Sequence, residues 1–181
     1  MAAPPSERPN VHHMSRAADE VDVTIEIPAG TRNKYEFDHE LGGIRLTRRL
    51  PAHMVYPADY GFIPDTLSLD GDPLDVVVLG TEGTFPGCVI GVRPVGVVWT
   101  TDQAGHDPKI VGMLTLDAEE RGIRTLSDLP DQQVAEVAHF FDVYKDLEDD
   151  KHSEIEGFGD AASAIAEIKT ARERFRSPPA H

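Results

Sequence analysis

The hydrophobic period of this chain changes once, and that change constrains its fold more than any other feature. In the first two thirds, apolar residues recur every second position. Val21, Val23, Ile25 and Ile27 alternate with Asp22, Thr24 and Glu26, the pattern of a half-buried strand. From Asp131 the spacing becomes helical, with Val134, Val137, Ala138, Phe141 and Tyr144 on one stripe. Strands first and helices last predict an α+β domain.

Further strands are expected at Lys34–Phe37, Ile44–Arg49, Val76–Leu79, Val89–Trp99 and Ile110–Leu116. Pro28-Ala29-Gly30 and Gly42-Gly43 supply turns. Pro94 inside the fifth run predicts a bulge or an edge position. Short strands joined by such turns predict a small closed barrel. Helices are expected over Asp131–Leu147, after Pro130, and over Asp160–Phe175. Residues 1–20 read as a solvated, proline-bearing tail, 21–176 as one domain, and 177–181 as a frayed end. Met14, inside the tail, is an alternative start.

The formal net charge of -15 argues against nucleic acid and against an anionic membrane. An anionic substrate then requires metal ions between itself and the protein. No apolar run is long enough to span a bilayer, and no segment reads as a signal peptide. Cys88 has no second cysteine to pair with, so the expected location is a reducing cytoplasm.

The chemistry concentrates in two acidic turns. Asp70-Gly71-Asp72-Pro73-Leu74-Asp75 sets three carboxylates just ahead of the buried run Val76–Leu79. Such a turn is expected to aim its carboxylates at one point, where hard oxygen ligands suit Mg²⁺ or a similar cation. An EF-hand reading fails, because Asp75 and Thr81 occupy the positions that need glycine and glutamate. A plain Asx-rich hairpin is the bland alternative. The second turn, Thr101 to Lys109, adds Asp102 and Asp107 and weakens that alternative. Converging carboxylates raise each other's pKa unless a cation intervenes. Asp70 and Asp75 are candidate ligands, and Asp72 between them is the candidate general base for hydrolysis of a phosphoanhydride.

Cationic and phenolic candidates complete the set. Glu26, Lys34 and Glu36 are expected on polar faces of adjacent strands, where a solvated ion pair is the bland reading. Arg48 shares the parity of Ile44 and Leu46 and is expected to point inward, toward an anion. Tyr56, Tyr60 and Tyr144 read individually as core tyrosines, and Lys145 as a solvated lysine. Collectively they describe a metal–phosphate pocket. There is no P-loop, no G-x-G-x-x-G and no G-x-S-x-G elbow, and the histidines lack zinc spacing.

These segments resemble the family I soluble inorganic pyrophosphatases in their short bacterial form. Asp70-Gly71-Asp72-Pro73-Leu74-Asp75-Val76 matches the family signature. Glu26-Ile27-Pro28, Lys34-Tyr35-Glu36, Tyr56 to Ile63, Arg93-Pro94-Val95-Gly96 and His139 to Glu148 match around it, so the likeness runs from about Val21 to Phe175. The resemblance implies a five-stranded OB-like barrel flanked by two C-terminal helices, and Mg²⁺-dependent hydrolysis of pyrophosphate to two phosphates. It implies about three to four Mg²⁺ per site, with Mn²⁺ or other divalent ions as substitutes, and a homohexamer. Asp70, Asp75 and Asp107 would hold the first metal, Asp75 a second, and Asp102 with Asp107 a third. Glu36 and Glu26 would approach metal directly or through water. Asp72 would be the base, a role sometimes given to Asp107. Lys34, Arg48, Tyr60, Tyr144 and Lys145 would bind phosphate, with Lys109 supporting the acidic turn within that substrate set. Phe158, where many members carry tryptophan, and Pro108 depart from the pattern without touching these positions.

Other readings are a hydrolase of longer polyphosphates or nucleotides, a catalytically dead binding barrel, and an oligonucleotide-binding barrel, which the charge disfavours.

Overall fold

The structure is a computed structural model that describes residues 19–38, 40–80, 82–116, 118–146 and 151–177. Nine strands and three α-helices follow in the order β1 (Val21–Ile27), β2 (Asn33–Asp38), β3 (Gly43–Arg49), β4 (Asp59–Phe62), β5 (Asp75–Leu79), β6 (Val89–Asp102), β7 (Gly105–His106), β8 (Lys109–Leu114), α1 (Ala118–Gly122), α2 (Asp131–Val143), β9 (Ser153–Asp160) and α3 (Ala161–Arg176) among the described residues. The alternation read from the sequence sets β1 directly. Its buried residues are Val21, Val23, Ile25 and Ile27, with the polar residues between them half-buried.

The α+β expectation holds, but the expected simple closed five-stranded barrel is corrected. The main sheet has seven strands, in the order β1-β4-β5-β8-β6-β7, and β9 joins it on β6. β1 also pairs antiparallel with the start of β6, from Val21 opposite Val92 to Thr24 opposite Val89. β2 and β3 form a separate two-stranded sheet. The difference comes from β6, whose 14 residues are long enough to serve β1, β8, β7 and β9 in turn. Strands and helices are not wholly segregated either, because β9 lies between α2 and α3. Pro94 produces the expected irregularity, a register shift between Pro94 and Gly96 where β6 pairs with β8.

Two buried clusters hold the layers together. Phe140, Phe141 and Val137 of α2 pack with Tyr56, Tyr60, Val77, Val98 and Val111. Ala164, Ile168 and Ala171 of α3 pack with Val23, Ile25, Val76, Val97 and Ile110. Alternate residues of β5 thus face opposite clusters, Val77 toward α2 and Val76 and Val78 toward α3, which anchors the strand whose first residue is Asp75. α3 begins where Asp160 accepts a hydrogen bond from Ser163 N at 2.8 Å, a side-chain N-cap. Its last residue is Arg176, one beyond the expected Phe175. α2 ends at Val143, short of the expected Leu147: Tyr144, Lys145 and Asp146 form a turn, and Leu147 lies outside the described residues.

The expected N-terminal tail, with Met14, falls outside the described residues up to position 18. Asp19 and Glu20, assigned to that tail, lie 3.0 and 4.0 Å from the buried Arg93. At the other end, Ser177 follows α3, and 178–181 lie outside the described residues. Among the described residues, no helix is long and apolar enough to cross a membrane.

Candidate active site

Both acidic turns are shaped by a glycine with positive φ, Gly71 at 97° and Gly105 at 115°, a backbone that side chains other than glycine rarely adopt. Each turn feeds or leaves a strand of the main sheet. Asp75 opens β5 opposite Lys109, which opens the parallel strand β8. The parallel pairing brings the two turns to the same end of the sheet. β4, which pairs with β5, adds Tyr60 opposite Val77.

A cavity of about 410 Å³ lies at that end. It is lined by Glu26, Lys34, Glu36, Arg48, Tyr60, Asp70, Asp72, Asp75, Asp107, Lys109, Tyr144 and Lys145. Every site residue read from the sequence therefore reaches this cavity except Asp102. Asp102 is next to the lining residue Gln103 and accepts a hydrogen bond from Lys145 Nζ at 2.7 Å and from Ala104 N at 2.7 Å. The lining also contains Tyr56, read individually as a core tyrosine, and Gln103 and Lys151, which sequence reasoning did not place in the site. Gln103 was signalled by its position inside the acidic turn. Lys151 carried no local signal.

At the floor, Lys109 is 1% exposed. Its Nζ donates to Asp75 Oδ2 at 2.8 Å and to both oxygens of Asp107 at 2.9 Å. The Tyr60 hydroxyl donates to the same Asp75 Oδ2. Burial pushes the Tyr60 phenol pKa up, and neighbouring Asp75 and Asp107 add to it. For Lys109, burial works against the ammonium, but Asp75 and Asp107 outweigh it and raise its pKa. Asp107 is itself raised, mainly by burial and despite Lys109. Its backbone is held on both sides by the buried Thr100. Asp107 N donates to Thr100 O at 2.8 Å, and the Thr100 hydroxyl donates to Asp107 O.

Glu26 of β1 and Lys34 and Glu36 of β2 do lie on neighbouring strands, although β2 is laddered to β3 and not to β1. Glu26 bridges the gap by accepting from Phe37 N at 2.6 Å. Burial, with Asp75 and Glu36 nearby, raises its pKa to about 7. Lys34 Nζ lies 2.5 Å from Glu36 Oε1. Arg48 does reach the cavity, with its guanidinium carbon 6.0 Å from the centre of the Tyr144 ring. The parity argument behind that expectation is only partly sound, because Leu46 on the same parity is 45% exposed. β3 belongs to the separate hairpin and is not sandwiched in the core.

The sequence predicted carboxylates aimed at one point. Among the described residues, no group of three or more acidic, histidine or cysteine side chains is drawn together closely enough to hold a metal. The reason is local. Asp75 and Asp107 turn toward Lys109, Asp70 Oδ1 accepts from Asp72 N at 3.0 Å, and Asp102 turns to Lys145. Asp70 and Asp72 keep raised pKa values, through burial and then through neighbouring carboxylates. Six carboxylates line the cavity against five cationic side chains, and all the carboxylates offer hard oxygen donors. This donor set fits a divalent oxygen-seeking cation, which would relieve the repulsion that raises Asp70 and Asp72.

The family profile described as "Inorganic pyrophosphatase" matches residues 23–176, an interval that contains all of these side chains. The chain belongs to the family I soluble inorganic pyrophosphatases. The inorganic pyrophosphatase of Streptomyces coelicolor is 46% identical over 162 residues, covering 90% of this chain and 99% of its own. That of Leifsonia xyli is 53% identical over 143 residues, covering 79% and 88%. The crystal structure of the inorganic pyrophosphatase from Thermus thermophilus superposes with a TM-score of 0.86 at 41% identity, covering 89% of this chain and 94% of that one. Each relative is matched over most of its length, and the family profile spans both acidic turns together with α2 and α3.

Proposed function

We propose that this cavity is where the chain performs its family's reaction, the Mg²⁺-dependent hydrolysis of inorganic pyrophosphate to two orthophosphates. The observation that carries the assignment is the meeting of both acidic turns with Lys34, Arg48, Tyr144 and Lys145 in one cavity. An anion with two phosphoryl groups needs cations on its flanks and metal ligands beneath, and this lining offers both kinds of group.

Asp70, Asp75 and Asp107 are the residues proposed to hold the first divalent cation, with Asp75 shared with a second. Asp102 with Asp107 would serve a third, and Glu26 and Glu36 would meet metal directly or through water. When bound, such cations neutralise charge developing on the phosphoryl oxygens and make water a better nucleophile. Asp72 is proposed to take the proton of the attacking water. Its carboxylate is raised in pKa by partial burial and by the neighbouring Asp75 and Glu36, and it lies in the solvent-accessible part of the first turn. Arg48, stacked over Tyr144, offers a planar fork suited to phosphate. Lys145 and Lys34 supply point charges for the leaving phosphate. Lys109 is proposed to act from below, by holding Asp75 and Asp107 at a fixed separation.

Phosphate release with Mg²⁺ or with EDTA, from pyrophosphate, tripolyphosphate and ATP in parallel, tests the reading. The expected result is fast release from pyrophosphate with Mg²⁺, abolished by EDTA, and little release from the other two. Folded protein that releases no phosphate with Mg²⁺ would sink the assignment.

A further inference from the structure

Asp75 and Asp107 are each assigned to two of the proposed cations, but the fold holds their backbones differently. Asp75 lies inside the main sheet, opposite Phe62 of β4 on one side and Lys109 of β8 on the other. Asp107 lies between strands, after β7 ends at His106 and before β8 begins at Lys109. Pro108, which follows it, has no N–H to give to a ladder. Thr100 takes the place of the missing strand neighbours. Its carbonyl accepts from Asp107 N at 2.8 Å, and its hydroxyl donates to Asp107 O. Thr100 is fully buried in β6, opposite Ile155 of β9, so its own position is fixed by the sheet. It does not line the cavity, and it reaches the site through Asp107.

We propose that Thr100 is a positioning residue whose hydroxyl holds Asp107 in the geometry that a small octahedral cation requires, and so favours Mg²⁺ over larger ions. The inference rests on the pyrophosphatase reading above. Mg²⁺ tolerates little departure from octahedral geometry at short distances, whereas Ca²⁺ accepts longer and looser coordination. A carboxylate whose backbone is freed on one side therefore costs Mg²⁺ more than Ca²⁺.

The test compares Thr100→Val and Thr100→Ala, which remove the hydroxyl, with Thr100→Ser, which keeps it. Valine also keeps the β-branched shape that suits a strand. Binding of Mg²⁺ and of Ca²⁺ to the substrate-free protein is measured by calorimetry, well below the melting temperature of each variant. Phosphate release from pyrophosphate is followed against Mg²⁺ concentration in parallel. Thr100→Val is expected to bind Mg²⁺ about tenfold more weakly and Ca²⁺ at most about threefold more weakly, the scale of one lost hydrogen bond. Thr100→Ala should show the same preference, and Thr100→Ser should stay within about twofold of wild type for both ions. Half-maximal activation of the valine variant should need more Mg²⁺, with the rate recovering toward wild type as Mg²⁺ saturates. A lower melting temperature with unchanged Mg²⁺ affinity overturns the proposal, as does an equal loss for Mg²⁺ and Ca²⁺, and in both cases the pyrophosphatase reading stands. Folded wild-type protein that binds no Mg²⁺ and releases no phosphate overturns both.

Discussion

Lys109 Nζ lies 2.8 Å from Asp75 Oδ2 at the first pairing step of two parallel strands, β5 and β8. The same ammonium lies 2.9 Å from Asp107. One buried cation thereby couples the two acidic turns, with Lys109 34 positions along the chain from Asp75.

Lys109→Met keeps the aliphatic stem and removes the charge that holds Asp75 and Asp107 together. The variant is expected to lose about 3–5 kcal/mol of stability in urea unfolding without metal, because two partly buried carboxylates lose their counterion. Added Mg²⁺ should recover part of that loss. Since the carboxylates raise the Lys109 pKa above its usual value, the wild-type contribution is complete through neutral pH. It disappears only as pH climbs through that raised value. A variant as stable as wild type without metal would show that Lys109 couples the turns only geometrically.

Asp72→Asn tests the proposed base apart from the proposed ligands. Loss of general-base action is expected to lower kcat about 10²–10⁴-fold. The thermal midpoint should barely move, because Asp72 is exposed. Asp107→Asn should differ by weakening metal binding as well, since Asp107, bonded to Lys109, is also a proposed metal ligand. A full rate in Asp72→Asn, with a loss in Asp107→Asn at saturating metal, would move the role of base to Asp107.

Glu26 predicts a pH dependence of metal binding. Burial raises its pKa from 4.5 to about 7, so the folded protein without metal retains a proton that the unfolded chain has released. Its contribution to stability is therefore lost as pH rises from about 4.5 to about 7, and a cation beside Glu26 restores it. The rise in melting temperature on adding Mg²⁺ should be larger at pH 8 than at pH 6, and Glu26→Gln should flatten the difference. Calorimetry in buffers of different ionisation enthalpy should show proton release on Mg²⁺ binding at pH 6.5. An equal Mg²⁺ effect at both pH values would place Glu26 outside the metal set.

Most of the elements, and nearly every candidate residue that lines the cavity, could be read from the sequence. Alternation in Val21–Ile27 and the helical stripe at Val137 and Phe141 are local patterns, readable because each needs only one face to be buried. The motif around Asp70 named the metal-ligand candidates because spacing within one turn is short-range information. Other features were not legible. Asp59–Phe62 became β4 through pairing with β1 and β5, and Ser153–Asp160 became β9 because β6 runs far enough to pair with it. The same long strand turned an expected five-stranded barrel into a seven-stranded sheet. Only long-range packing sets Asp102 against Lys145, makes Lys109 bridge the two turns, and brings Lys151 to the cavity lining. Those placements depend on strand register between segments distant in sequence, where hydrogen bonding and packing of the whole sheet choose the partner and local propensity has no say.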